Sequence, residues 1–275
     1  MSQTEPSYEV YAIRFAHHAG QRRSGNFLGN VPGSAPGSVS GGDAHDGPMP
    51  FDYFVFVIKG PAASVIVDSG YSADVARKRG REFFRCPSEG LALLKIDPAS
   101  VHDVVLTHLH YDHCGNQDLF PNARFHLQAA EMAYATGPAM CHGFMRGGYD
   151  PADIATTIEK LFADRLTYHQ GDGEIAPGIT VHRIGGHTEG QQVVRVKTRK
   201  GWLVLASDAS HFFENFERNH PFPWVVDVAD TLAGFARLRQ LASDDAMVIP
   251  GHDPLIMRRF PAAFDAAAGF IARLD

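Results

Sequence analysis

The chain has 275 residues, of which 44% are hydrophobic and 20% charged, enough for one large two-layered core or two small domains. A formal net charge of −6, with no basic run longer than Arg77-Lys78-Arg79, argues against a polyanionic partner such as RNA or DNA. Three cysteines are too few and too odd in number for a disulfide framework, and no stretch of about eighteen apolar residues offers a membrane-spanning helix.

The amino terminus, Met1 to Pro6, is polar and lacks a basic-then-apolar leader, so a soluble, cytoplasmic protein is expected. Residues from Asn30 to Pro50 are dominated by Gly, Ser and Pro and cannot bury a core of their own. The expectation is one domain over residues 1–275 with an insertion at about 30–50. That insertion, preceded by His17, His18, Phe27 and Leu28, is expected either to form a flap over the site or to lie on the surface. Phe51 to Lys59 and Ser64 to Asp68 read as a β-hairpin around Gly60-Pro61, with Asp68-Ser69-Gly70 ending the second strand.

The apolar run Val104-Val105-Leu106 empties into Thr107-His108-Leu109-His110-Tyr111-Asp112-His113, three imidazoles and a carboxylate within seven residues. His108 and His110 stand at i and i+2 of an extended segment and point the same way, so both can grip one ion. Asp112 and His113 follow where the chain turns and can grip another. Such a spacing of histidines arises by chance about once in several thousand positions. Cys114, next in line, is expected with Cys141 to be small buried filler and not a ligand.

Four residues cannot fill two coordination spheres, so further ligands are expected on later strand ends. Ala123 to Leu127 reads as a strand running into a helix from Gln128. Ile179 to Ile184 closes on Gly185-Gly186-His187-Thr188, Trp202 to Ala206 closes on Ser207-Asp208, and Ala246 to Ile249 closes on Pro250-Gly251-His252-Asp253. Each strand delivers one candidate ligand at its carboxyl end. Val226 to Leu241 carries apolar residues at helical spacing, and Phe260 to Leu274 reads as a second amphipathic helix packed on the core.

Through His108-x-His110-x-Asp112-His113, then His187, Asp208 and His252 in that order, the chain resembles the metallo-β-lactamase superfamily over residues 51 to 255. The resemblance implies an α/β fold, a four-layer αββα sandwich of two similar halves, with the site where strand-end loops of both halves meet. By position, His108, His110 and His187 would hold one metal, Asp112, His113 and His252 a second, and Asp208 would bridge them. Asp68 resembles the family's early aspartate that supports the metal loop from behind. Imidazole and carboxylate ligands without cysteine suit zinc, two Zn²⁺ per chain.

Such a site implies metal-assisted hydrolysis, in which a hydroxide bridging two dications attacks an electrophilic carbonyl, with Asp208 setting the intermetal distance and Asp112 receiving a proton. The segment Asp208-Ala209-Ser210-His211-Phe212-Phe213-Glu214-Asn215-Phe216 is similar to its counterpart in N-acyl-homoserine lactonases, which usually carry a tyrosine where this chain has His211. The catalytic set is therefore Asp112, Asp208 and His211, the imidazole acting as proton donor to the leaving group or standing as a bystander. Phe144, Met145, Tyr149, Phe222 and Trp224 are candidates to line an apolar substrate pocket. The expected substrate is a small cyclic ester. Another cyclic amide or ester, a thioester, an iron oxygenase and a metal-binding sensor remain open alternatives. A flavodiiron enzyme is disfavoured because it would place a glutamate at His110.

Overall fold

The structure, a computed structural model, describes residues 7–29, 46–61 and 63–275. Most of the insertion expected at 30–50, and with it the expected flap, lies outside the described residues.

Thirteen strands among the described residues form two sheets. The first contains β1 (Glu9–His18), β2 (Phe51–Lys59), β3 (Ser64–Val67), β4 (Glu82–Phe83), β5 (Asp103–Val105), β6 (Arg124–Gln128) and β7 (Leu166–His169). The second contains β8 (Gly173–Ala176), β9 (Ile179–Arg183), β10 (Gln192–Thr198), β11 (Gly201–Ser207) and β12 (Val248–Pro250). The last strand, β13 (Ile271–Arg273), returns to the first sheet, whose order is β13-β1-β2-β3-β5-β6-β7 with β4 on β1; the second runs β12-β11-β10-β9-β8.

Alternation along the strands builds the layers. On β2, Phe54, Phe56 and Ile58 face one core and Tyr53, Val55 and Val57 the other, as a strand buried on both sides requires. The first set meets Val181, Val194, Val196, Leu203 and Leu205 of the second sheet. The second set packs beneath α1 (Ala73–Arg79), α2 (Pro87–Leu93), α3 (Tyr111–Cys114), α4 (Ala129–Ala135) and α5 (Pro151–Phe162), through Ala76, Leu91, Cys114, Tyr134 and Leu161 among others. On the far side, α6 (Phe213–Glu217), α7 (Val228–Leu241) and α8 (Ile256–Arg259) bring Phe216, Phe235, Leu238 and Ile256 to the inter-sheet core's outer margin. The layering is αββα, the metallo-β-lactamase architecture.

Parallel pairing sets the functional edge. Val67 lies beside Val105 and Ser207 beside Pro250, so β3, β5, β11 and β12 end together and release Asp68, Thr107–His113, Asp208 and Gly251–His252 on one side. Gln192 ties the sheets there: its backbone N–H donates to the Thr107 carbonyl (2.9 Å) and its side-chain amide to the Leu106 carbonyl (2.8 Å).

Two expectations are corrected. Residues 260–274 do not form an amphipathic helix; they follow α8 and contain a short 3₁₀ turn at Asp265–Ala267 and β13. Pro261 and Gly269, the latter at φ +78°, interrupt any helix. The free edge of β1 takes up Ile271–Arg273 as a partner, with Ile271 and Ala272 facing opposite cores. Cys114 is buried as expected, but Cys141 is exposed, on a 3₁₀ turn with no core to fill.

Candidate metal centre

His108 and His110 leave β5 in extended backbone, and His110 caps the one-turn helix α3 that carries Asp112 and His113. His187 follows β9 on the Gly185-Gly186 turn, Asp208 follows β11, and His252 follows β12. Ser207 adopts φ +46°, a conformation that costs a non-glycine residue roughly 1–3 kcal/mol and turns the chain off β11 just before Asp208.

All seven residues meet at one point. His108, His110 and His187 offer ring nitrogens within 4.8 Å of one another, as do the ligand atoms of Asp112, His113 and His252. Asp208 stands between them with its two oxygens divided. Oδ2 faces His187 Nε2 (3.4 Å) and His108 Nε2 (3.9 Å), while Oδ1 faces His252 Nε2 (3.0 Å) and His113 Nε2 (3.4 Å). Asp112 Oδ2 lies 3.6 Å from His113 Nε2 and 3.7 Å from His252 Nε2. His110 turns Nδ1 inward, 2.9 Å from His187 Nε2, because its far edge abuts Gly148, where a Cβ would come within 2.6 Å of the ring.

Four inward atoms lack hydrogen-bond partners, while outward ring nitrogens have them. His108 Nε2, His113 Nε2, His252 Nε2 and Asp208 Oδ1 are buried without a hydrogen bond, a costly state unless the group serves a ligand. On the outer edges, His187 Nδ1 donates to the Trp224 carbonyl (2.5 Å), His252 Nδ1 to the Asp52 carbonyl (3.0 Å) and His113 Nδ1 to Asp68 Oδ2 (2.8 Å). These bonds fix the tautomers so that lone pairs point at the centre, the usual arrangement around a metal-binding imidazole. The donor set therefore fits two divalent cations. Only His110 and Asp112 are partly exposed, so the approach for a small molecule is on their side.

Electrostatics divide the ligand set. Burial and the neighbouring imidazoles hold His108 and His110 well below the ordinary histidine pKa, keeping the neutral ligand form. Burial disfavours charge on His113 too, but the carboxylates of Asp208, Asp112 and Asp68 lift its pKa well above the ordinary value. For Asp208 the penalty of burial is overcome by His252, His113 and His211, which keep it ionised.

His211 lies inside this group, Nε2 3.1 Å from Asp208 Oδ2, its ring stacked on Phe222 with centroids 3.5 Å apart. Burial outweighs the attraction of Asp208 and pushes its pKa down to about 4, so the imidazole is neutral at physiological pH. Phe222 is thus a support for His211. Phe144, Met145, Tyr149 and Trp224 line a small cavity of about 40 Å³ beside His110 and His187. Phe144 and Trp224 stack in parallel at 5.6 Å while 75% and 51% exposed.

Asp68 supports the ligand loop from behind, as the resemblance implies, and Glu131 and Phe51 add support that sequence reasoning missed. Asp68, at φ +64°, does more than end a strand: it accepts from Thr107 N (2.8 Å), Thr107 Oγ1 (2.9 Å) and His113. Glu131 on α4 is fully buried and accepts from Leu109 N (3.0 Å), Thr188 Oγ1, Gly190 N (3.2 Å) and Tyr149 OH (3.3 Å), tying the first ligand loop to the one bearing His187. Burial nonetheless raises its pKa. Phe51 stacks on His252 at 4.9 Å. A lone glutamate in an amphipathic helix and a phenylalanine opening a strand carry no sequence signal for these roles.

Residues 49–252 match the model of the metallo-beta-lactamase superfamily. The chain belongs to that superfamily. An N-acyl homoserine lactonase, AttM of Azorhizobium caulinodans, is 33% identical over 234 residues, 78% of this chain and 84% of its own. A solved N-acyl homoserine lactone hydrolase with N-hexanoyl-L-homoserine at its catalytic metal centre superposes with a TM-score of 0.72 over 94% of this superfamily member and 98% of that chain, at 19% identity. A dizinc quorum-quenching lactonase, also 19% identical, superposes with a TM-score of 0.60 over 75% of this chain and 74% of its own. Among the described residues no helix is long and apolar enough to cross a membrane.

Proposed function

We propose that this superfamily member is a dinuclear zinc hydrolase that opens a small cyclic ester, a lactone of the N-acyl-homoserine type. The observation that carries the reading is the division of Asp208, one oxygen toward His108 and His187 and the other toward His113 and His252, with the facing nitrogens of His108, His113 and His252 buried without a hydrogen bond. The lactonase relatives support the choice of ring. His108, His110 and His187 would hold one cation, Asp112, His113 and His252 the other, and Asp208 both. Bound there, two such cations would lower the pKa of the attacking water and polarise the carbonyl under attack.

The chain's own residues do the rest. Asp112, partly exposed beside His113 and His252, is placed to accept a proton from the attacking water. His211, neutral and beside Asp208, is placed to donate a hydrogen bond to the ring oxygen as the acyl C–O bond breaks. The product is a hydroxy acid, which releases one proton per turnover at neutral pH.

Acid release followed by pH-stat on zinc-reconstituted protein tests the reading, with lactones, a thioester and a β-lactam run in parallel. Turnover of lactones that chelation abolishes is the expected result, and His110→Ala or Asp208→Ala should remove metal and activity together. Full turnover in either variant, or turnover confined to the thioester or β-lactam, would sink it.

A further inference from the structure

The cavity over the candidate metal centre has a volume of about 150 Å³ and, beyond His110, Asp112, His187, Asp208, His252 and His211, its wall includes Phe51, Tyr53, Arg79, Arg81, Tyr111 and Trp224. Pockets for drug-sized ligands run from roughly 300 to 1,000 Å³. This one suits a small ring with a short arm better than a long acyl chain. Its wall is also charged, in a chain whose net charge is −6.

Both guanidinium groups are held in place by neutral partners. Arg79 lies flat over the Tyr111 ring, 3.6 Å from the centroid, and its Nη1 donates to the Gly147 carbonyl (3.2 Å). Arg81 Nη1 donates to the Arg79 carbonyl (2.8 Å) and meets His18 Nε2 (3.2 Å), with the phenols of Tyr53 and Tyr111 alongside. No carboxylate among the described residues forms an ion pair with either arginine, and Arg81 Nε is buried without a partner. The nearby Asp112 faces His113 and His252 instead.

A half-buried guanidinium that cannot lose its proton is costly without a counter-charge. Two of them on the wall of one small cavity, with Arg81 Nε buried and unpartnered, offer N–H donors in the fork geometry that matches a carboxylate.

We propose that Arg79 and Arg81 form an anion subsite, and that the preferred substrate is a short-armed lactone bearing a carboxylate away from the scissile ester. The proposal rests on the lactonase reading of the same cavity. The arginines position the free carboxylate while the ring ester is opened at the metal centre, so the product is a dicarboxylate.

The test pairs N-succinyl-homoserine lactone with the uncharged N-pentanoyl-homoserine lactone, on zinc-reconstituted wild type, Arg79→Gln and Arg81→Gln. Wild type should prefer the charged lactone by about tenfold or more in kcat/KM, the preference arising in KM and shrinking at high salt. It should collapse toward unity in Arg79→Gln and Arg81→Gln, and Arg81→Lys, which keeps the charge, should recover part of it. A wild-type preference for the neutral lactone, or a preference that survives both glutamine variants, overturns the subsite.

Calorimetric titration of the ring-opened acids, N-succinyl-homoserine and N-pentanoyl-homoserine, needs no turnover and separates the two readings. If neither lactone is hydrolysed, the lactonase assignment fails. The subsite then stands if the dicarboxylate binds more tightly to wild type than to Arg81→Gln, and falls if the two acids bind alike.

Discussion

His211 shows how much one side chain's chemistry depends on its neighbours. Stacked on Phe222 and with its pKa lowered to about 4 by burial, it is neutral near pH 7, the form that the proposed role as hydrogen-bond donor requires. Phenylalanine in its place keeps the stack and loses the contact to Asp208. His211→Phe should retain close to two zinc ions per chain while turnover falls by about ten- to a thousandfold. Metal analysis beside steady-state kinetics decides the matter. A loss of one zinc would make His211 a ligand within the His187, Asp208 and His211 group, and unchanged rates would make it a bystander.

Among the elements, the turn between β9 and His187 bears a double constraint, of backbone angle and of space. Gly186 sits at φ +91°, where a Cβ would fall 2.4 Å from Thr231 Oγ1 and 2.7 Å from its backbone nitrogen, and its carbonyl accepts from Val226 N and Asp227 N at the entrance to α7. Backbone strain and overpacking each cost about 1–3 kcal/mol. Gly186→Ala should therefore destabilise the fold by about 2–6 kcal/mol and loosen His187. Chemical denaturation and zinc affinity are the two readouts, and a variant with normal values of both would show that α7 yields to the turn. Helix α5 carries a second test. Asp153 in its first turn has its pKa raised to about 7 by burial and by the charge of Asp150, with Arg79 opposing. The folded state thus holds this proton up to near neutrality while the unfolded chain loses it near the ordinary carboxyl value. Stability attributable to Asp153 is present at low pH and is lost as pH rises from about 4 to about 7. Asp153→Asn should flatten that decline, making the variant more stable relative to wild type at pH 8 than at pH 4. Equal pH dependence of the melting temperature in both proteins would refute it.

Over the whole molecule, the candidate metal centre lies where the two sheets meet, so a bound cation would clasp them together. His108, His110, Asp112 and His113 come from the first, and His187, Asp208 and His252 from the second. Cations bound there stabilise only the folded state, by about 4 kcal/mol at a thousandfold excess over Kd. For a domain of this size that corresponds to a melting temperature about 10 °C higher. Chelation should lower it by that amount, and zinc should restore it. A melting temperature indifferent to chelation would mean that the clasp closes without metal.

The ligand string, the hairpin around Gly60 and the strand-then-loop rhythm that ends at His187, Asp208 and His252 were legible from residue order, because each depends on local periodicity and on ligand chemistry that few other patterns share. What joined those strand ends was parallel pairing, Val67 beside Val105 and Ser207 beside Pro250, which no local pattern encodes. The same limit explains the error at residues 260–274: apolar residues at helical spacing also fit a turn and a strand, and the open edge of β1 decided between them. It explains Glu131 and Arg81 as well, ordinary charged residues in sequence, whose places in a buried network and on a cavity wall were decided by the packing of one layer against the next.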